Sequence, residues 1–122
     1  MNFEVKDFQA LHKALDDFCE FLTHAGIAEE SVFDSRLIVS ELATNVLKHA
    51  RATAFIEGGI FNGKIEVEIF SNAKFNAPEK SVLPDETAEH GRGLYLVDKI
   101  GESRSTTPKG GIRVVVRTQY KK

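Results

Sequence analysis

The spacing of apolar residues changes its period several times along the chain, and each change predicts an element. Residues 2–6, NFEVK, alternate between apolar and polar, which is typical of a half-buried strand. Asp7 can cap a helix, and Gly26 is a common helix stop. Apolar residues recur between them at helical spacing, at Phe8, Leu11, Leu15, Phe18 and Leu22. We therefore expect a strand followed by a helix.

A second helix is predicted over residues 31–50, after the acidic pair Glu29 and Glu30. Its apolar side should face the core and consists of Val39, Ala43, Val46 and Ala50.

Two hairpins are predicted further along the chain. The runs TAFIEGGIF and KIEVEIF flank Asn62 and Gly63, and Asn-Gly between strand-like runs is the strongest short hairpin signal. The runs ESRSTT and IRVVVRT form the second hairpin, around residues 109–111.

Residues 71–90 separate the hairpins and contain Pro78 and Pro84 with no sustained period. A loop of that length in a compact domain is usually functional or mobile. A short apolar helix is expected after it, within HGRGLYLVDKI (90–100).

The element order is strand, helix, helix, strand, strand, long loop, helix, strand, strand. This order predicts an α+β two-layer sandwich, in which a mixed, mostly antiparallel sheet carries helices on one face. The 122 residues fit a single domain, 1–122, and show no repeat or linker.

Composition narrows the function classes. Apolar residues make up 42% and charged residues 28%, the profile of a soluble globular protein. The net charge of -2 without a basic block argues against nucleic acid, and no run approaches the ~18 apolar residues of a membrane span. The start, MNFEVKD, lacks a secretory signal, and the single Cys19 excludes an intrachain disulfide. We therefore expect a cytoplasmic protein.

Polar residues recur every fourth position in the second helix, at Glu41, Asn45 and His49. Four residues advance a helix by only about 40°, so the three should form a nearly straight ridge. Glu41 and Asn45 fall on the polar arc, and His49 falls where that arc meets the core. A solvated helix face with a half-buried histidine would produce the same pattern.

A glycine-containing turn further along the chain could bind phosphate beside this ridge. Gly91 and Gly93 directly precede helix residues, so their backbone amides can approach a phosphate. An Asn45 oxygen suits Mg²⁺, and Glu41 can accept a proton from an attacking hydroxyl. The long loop could close over a nucleotide and exclude water.

Two motifs carry a family resemblance. Residues 36–50, RLIVSELATNVLKHA, resemble the N box, and residues 91–100, GRGLYLVDKI, resemble the second glycine box, of the anti-sigma serine kinases of bacterial partner switching. These kinases belong to the superfamily of gyrase, heat-shock chaperone and histidine kinase catalytic domains. The resemblance covers the whole chain and implies a histidine kinase-like ATPase fold with ATP and Mg²⁺ as cofactors.

The resemblance also implies roles. Glu41 would activate the hydroxyl, Asn45 would bind Mg²⁺, and residues 91–94 would hold the triphosphate under a lid at about 77–90. The partners would be a small antagonist protein phosphorylated on serine and a sigma factor, and such kinases are usually homodimers. The candidate cofactor-binding residues are Asn45, His49, Ser71, Asn72, Ala73, His90, Gly91, Arg92, Gly93 and Leu94.

Two departures affect adenine recognition. The family's first glycine box resembles Asp-x-Gly-x-Gly-Phe, whereas this chain reads FSNAKF, with Ser71 for the aspartate and Ala73 for the first glycine. The family's Gly-Thr on the last strand is Gly111 and Ile112 here. In the family, the aspartate and threonine read the adenine amino group. Ser71 Oγ or the Asn72 side-chain oxygen could still accept from it, although charge-assisted bonds are roughly twice as strong as neutral ones.

Three functions remain open on these residues. Retention of Glu41 favours a serine/threonine kinase, because nucleotide binding alone needs no base. The changed adenine contacts favour a nucleotide-silent module that acts by sequestering its partner. A histidine kinase fragment is less favoured, since no helical pair carries a phosphoacceptor histidine. We favour the kinase.

Overall fold

The computed structural model describes residues 1–72 and 95–122. The described elements are β1 (Asn2–Val5), α1 (Phe8–His24), α2 (Glu29–Asn45), a π-helical turn (Val46–Ala50), β2 (Ala54–Phe61), β3 (Lys64–Ser71), α3 (residues 95–100), β4 (Gly101–Thr106) and β5 (Ile112–Val116). The strands form one sheet in the order β1-β2-β3-β5-β4. Every neighbouring pair is antiparallel, and the helices pack on one face. The predicted α+β class is confirmed, and the described strands contain no parallel pair.

The first helix follows the predicted signals. The Asp7 carboxylate accepts a hydrogen bond from Ala10 N at 2.7 Å and caps α1. The core-facing side of α1 consists of Leu11, Ala14, Leu15, Phe18 and Leu22. Phe8 shares their spacing but lies in the first turn, where it is 54% exposed.

The second helix changes its winding before it ends. Val39 and Ala43 are buried as predicted, but Val46 is only half-buried and Ala50 is exposed. The prediction of a core-facing Ala50 was wrong because the last five residues wind as a π-helix, which turns less per residue than an α-helix. The helix ends at Arg51, whose φ of 51° is left-handed.

The first hairpin forms at the predicted dipeptide. Asn62 and Gly63 have φ values of 52° and 79°, the left-handed pair that a tight hairpin turn requires. Residues of β2 and β3 that face the helices are buried, whereas Phe55 and Phe70 stack on the opposite face with ring centroids 5.3 Å apart. The Lys109 amine lies 4.5 Å from the centroid of Phe70. Phe70 therefore lies on the face of the sheet opposite the helices, outside the core.

The second hairpin brings β5 close to the end of β3. An added Cβ at Gly111 would lie 2.5 Å from Ile69 O, so no side chain fits at this position. This close approach places Ile112 directly opposite Ile69 on the helix-facing side of the sheet.

A C-terminal clasp, residues 117–121, joins the helices to the sheet. Ser31 Oγ donates to Arg117 O at 3.0 Å and accepts from Gln119 N at 2.8 Å. The Tyr120 hydroxyl donates to Gly63 O at 2.9 Å. These bonds satisfy the hydroxyl of Ser31, which is buried at the start of α2.

Candidate functional site

Glu41 and Asn45 lie one turn apart on α2, at the margin between its buried and exposed sides. Both are half-buried, and Leu42 and Ala43 beside them are fully buried. Neither side chain forms a hydrogen bond or an ion pair with any residue that the structure describes. The carboxylate of Glu41 and the amide of Asn45 are therefore available to a ligand.

His49 is half-buried in the π-helical turn. A π-helix has more residues per turn than an α-helix, so four residues fall slightly short of one full turn instead of overshooting it. His49 therefore stays near the line defined by Glu41 and Asn45.

Asp34 lies on the same side of α2 as Glu41. It precedes Glu41 by two helical turns and is half-buried. Burial, and secondarily the nearby charge of Glu30, raises the pKa of the Asp34 carboxyl above its ordinary value.

Ser71 and Ile112 share the helix-facing side of the sheet. Ser71 is the last residue of β3, directly opposite the buried Ala54 of β2, and is half-buried. Ile112 begins β5 and packs against the core. The positions that the family resemblance assigns to adenine recognition therefore lie on one surface, but they present a hydroxyl and an apolar side chain.

Asn72 is exposed and already hydrogen-bonded. Its Oδ1 accepts from Thr53 N at 3.1 Å, and its own N–H donates to Thr53 O at 3.3 Å. One lone pair of the side-chain oxygen is thus used within the protein. Of the two acceptors expected for adenine, Ser71 is the one that lies on the helix-facing side of the sheet.

Thr53 was missed by the sequence reasoning. The signal was present in the hairpin register: extending the Ala54–Ser71 pair by one residue places Thr53 opposite Asn72.

An ion pair anchors α3 to β4. Arg104 Nε and Nη2 donate to the two carboxylate oxygens of Asp98 at 2.6 and 3.0 Å. These hydrogen bonds hold the pKa of the Asp98 carboxyl below its ordinary value of 3.8. Val97, beside Asp98, is buried. Helix α3 is thereby fixed to the sheet by both charge and packing.

The remaining candidates lie outside the described residues. They are Ala73, His90, Gly91, Arg92, Gly93 and Leu94, together with the expected lid at 77–90.

The described residues are suited to hold the magnesium ion of a bound nucleotide. They contain no cluster of three histidine, cysteine, aspartate or glutamate side chains placed to hold a metal. Mg²⁺ in nucleotide sites is usually held by one or two protein ligands together with phosphates and water. The available Asn45 oxygen is suited to that role. They are less suited to recognise the adenine ring, because Ser71 provides no charged acceptor for its amino group.

None of the helices in the described parts of the chain has the length and apolarity to cross a membrane.

The comparison with known families agrees with this geometry. A family model described as the histidine kinase-like ATPase domain matches residues 5–117. No curated protein matches the chain. The family match spans most of the chain and includes Glu41, Asn45, Ser71 and Ile112. The chain belongs to the histidine kinase-like ATPase domain family.

Proposed function

We propose that this domain binds ATP with Mg²⁺ and transfers the γ-phosphoryl group to a serine or threonine hydroxyl of a partner protein. The observation that carries the proposal is the pair Glu41 and Asn45, both half-buried and without a partner among the described residues. An ATPase-type family suggests the nucleotide, and the unused carboxylate beside the metal ligand suggests transfer to a hydroxyl.

Each residue of the pair has a distinct task. The Asn45 oxygen would bind Mg²⁺ and so orient the phosphates. The Glu41 carboxylate would accept the proton of the incoming hydroxyl. Bound ATP supplies the phosphoryl group.

The proposed setting is a cytoplasmic partner switch of the anti-sigma type. The phosphorylated partner would be a small antagonist protein, the alternative partner would be a sigma factor, and the kinase would act as a homodimer. The family resemblance of residues 36–50 and 91–100 supports this more specific proposal.

A second candidate is a nucleotide-silent module that sequesters its partner. Ser71 and Ile112 favour it, because a hydroxyl and an apolar side chain stand at the two positions that read adenine in the family. The loss of a buried hydrogen-bond partner typically costs ~1–3 kcal/mol, or about one to two decades of affinity.

Calorimetry separates the two candidates. The kinase proposal expects ATP to bind in the presence of Mg²⁺ and more weakly after chelation. It also expects labelled phosphate to appear on a candidate antagonist protein. Absence of heat and of thermal stabilisation at millimolar ATP with Mg²⁺ would contradict the kinase and leave the silent module.

A further inference from the structure

A cationic cleft, which we call the Arg51 cleft, lies outside the Glu41–Asn45 pair. It has a volume of about 660 Å³ and lies between residues 6–8, at the β1–α1 junction, and residues 50–53, which lead from the π-helical turn into β2. Leu47 and Asn72 complete the described lining. Of the described candidate site residues, only Asn72 lines this cleft.

The cleft carries basic side chains, although the chain as a whole is negatively charged. The chain has a net charge of -2, but the cleft presents Lys6 and Arg51. Arg51 forms no ion pair with a described residue, and Lys6 has only a weak, exposed contact with Glu4 at 3.7 Å. The lining contains one acid, Asp7, whose carboxylate caps α1. The cleft is therefore complementary to a negatively charged ligand.

Apolar surface lies beside these cations. Phe8 is 54% exposed, Leu47 is half-buried, and Ala50 is exposed. An inorganic anion would gain nothing from contact with these apolar side chains, and the cleft is larger than a single phosphate requires. A ligand that carries both carboxylates and an apolar side chain fits both features.

The backbone at Arg51 gives an independent reason to look here. Its φ of 51° is left-handed, a conformation that glycine or asparagine usually adopts at a helix end. An arginine in this conformation strains the backbone, and such strain concentrates at functional sites. The preceding π-helical turn is also a feature that recurs at functional sites.

We propose that the Arg51 cleft binds an acidic segment of a partner protein. The segment's carboxylates pair with Arg51 and Lys6, and an adjacent apolar side chain packs against Phe8 and Leu47. Binding here does not require nucleotide, so it stands or falls separately from the kinase activity.

The test uses the full chain, isotopically labelled for amide resonances, and three probes. These are a short peptide of alternating glutamate and leucine, the same peptide with glutamine for glutamate, and tripolyphosphate. The expected result is saturable shifts at Lys6, Phe8, Leu47 and Ala50 with the glutamate peptide, and at least fivefold weaker binding of the glutamine peptide. Equal binding of both peptides, no binding, or tighter binding of tripolyphosphate at the same amides would overturn the proposal.

Two variants separate binding from folding. Arg51→Asn removes the charge but keeps a residue that tolerates a left-handed backbone, so the melting temperature should stay unchanged or rise. Affinity for the glutamate peptide should nevertheless fall about fivefold or more. The matched control is Arg117→Asn, an exposed arginine next to Val116, whose partner Ile65 lies at the opposite end of the sheet. If the two variants bind equally, Arg51 has no role in recognition and the proposal is wrong.

Discussion

Ser71 and Ile112 are diagonal neighbours on the helix-facing side of the sheet. Ile112 pairs with Ile69 between β5 and β3, and Ser71 follows Ile69 by two residues on β3. Diagonal cross-strand neighbours lie ~7–8 Å apart, close enough for both side chains to meet one ligand. The sheet register therefore places Ser71 and Ile112, which both depart from the family pattern and lie far apart in the sequence, on one surface.

Restoring an acid and a hydroxyl on this surface should change base selectivity. The double variant Ser71→Asp with Ile112→Thr should tighten ATP by about one to two decades and GTP by much less, because only adenine offers an amino donor at that position. Competition binding measures both affinities. The control pair, Ser71→Asn with Ile112→Val, adds no charge and should change neither. Equal gains for both nucleotides would show that this surface does not meet the base.

Removal of the side chain proposed to hold the metal should make ATP binding independent of Mg²⁺. Asn45→Ala should weaken ATP binding about tenfold or more, since interactions with a charged group contribute ~1.5–3 kcal/mol. The remaining binding should no longer respond to Mg²⁺ in calorimetry. Asn45→Asp retains an oxygen ligand and should keep the magnesium dependence. If Asn45→Ala still responds to Mg²⁺, the metal is held elsewhere.

Glu41→Gln tests the proposed base without changing its shape. Phosphotransfer to the partner should fall by ~10²–10⁴-fold, the usual contribution of a positioned general base. ATP affinity should be unchanged or slightly higher, because a carboxylate repels the triphosphate. Single-turnover transfer from labelled ATP measures the first effect and calorimetry the second. Glu29→Gln, at the exposed start of the same helix, should transfer normally. Normal transfer by Glu41→Gln would refute the base role.

Gly111→Ala should destabilise the fold. The new methyl group would meet Ile69 O at 2.5 Å and the Cβ of Phe70 at 2.7 Å, so β5 must move away from β3. Such overpacking typically costs ~1–3 kcal/mol, measurable by urea unfolding. Gly59→Ala is the matched control, because its methyl group meets only the exposed Phe61 ring, at 3.3 Å. Similar losses in both variants would mean that the contact with β3 does not set the cost.

The Asp98–Arg104 pair should make the free energy of unfolding depend on pH in the acidic range. Because the pKa of Asp98 is lowered in the folded protein, the pair stabilises fully above the ordinary value of 3.8 and less as pH falls through the folded value. Asp98→Asn should therefore be less stable than the parent near neutral pH, by ~0.2–1 kcal/mol for so exposed a pair. The two proteins should converge in strong acid. Urea midpoints measured across this range give the comparison, and a constant difference at every pH would contradict the assignment.

Local signals predicted the elements well where one residue type decides the geometry. Asp7 caps α1, and Asn62 with Gly63 turns the first hairpin, as their chemistry requires. The sequence does not contain a comparable signal for the π-helical turn, since no glycine, asparagine or proline follows Ala50. No local residue type specifies this winding, and this is why the exposure of Ala50 was mispredicted.

The candidate site was predictable to the extent that it lies within one element. Glu41 and Asn45 are four residues apart on a single helix, so periodicity alone places them together. The diagonal position of Ser71 relative to Ile112 depends on the register of β3 and β5 across 41 residues of chain. The pairing of Asn72 with Thr53 depends on the register of β2 and β3. Family resemblance singled out Ser71 and Ile112, but only the sheet shows that they share a surface.

The C-terminal clasp also constrains the order in which the chain can assemble. Ser31 bonds to residues 86 and 88 positions later in a chain of 122 residues, so these bonds close a very long loop. We expect contacts of such separation to form late, because the entropy cost of closing a loop grows with its length. During synthesis, Ser31 emerges long before its partners, and its hydroxyl must rely on water until residues 117–119 arrive. We therefore expect attachment of the helices to the first hairpin through the clasp to be a late step of folding.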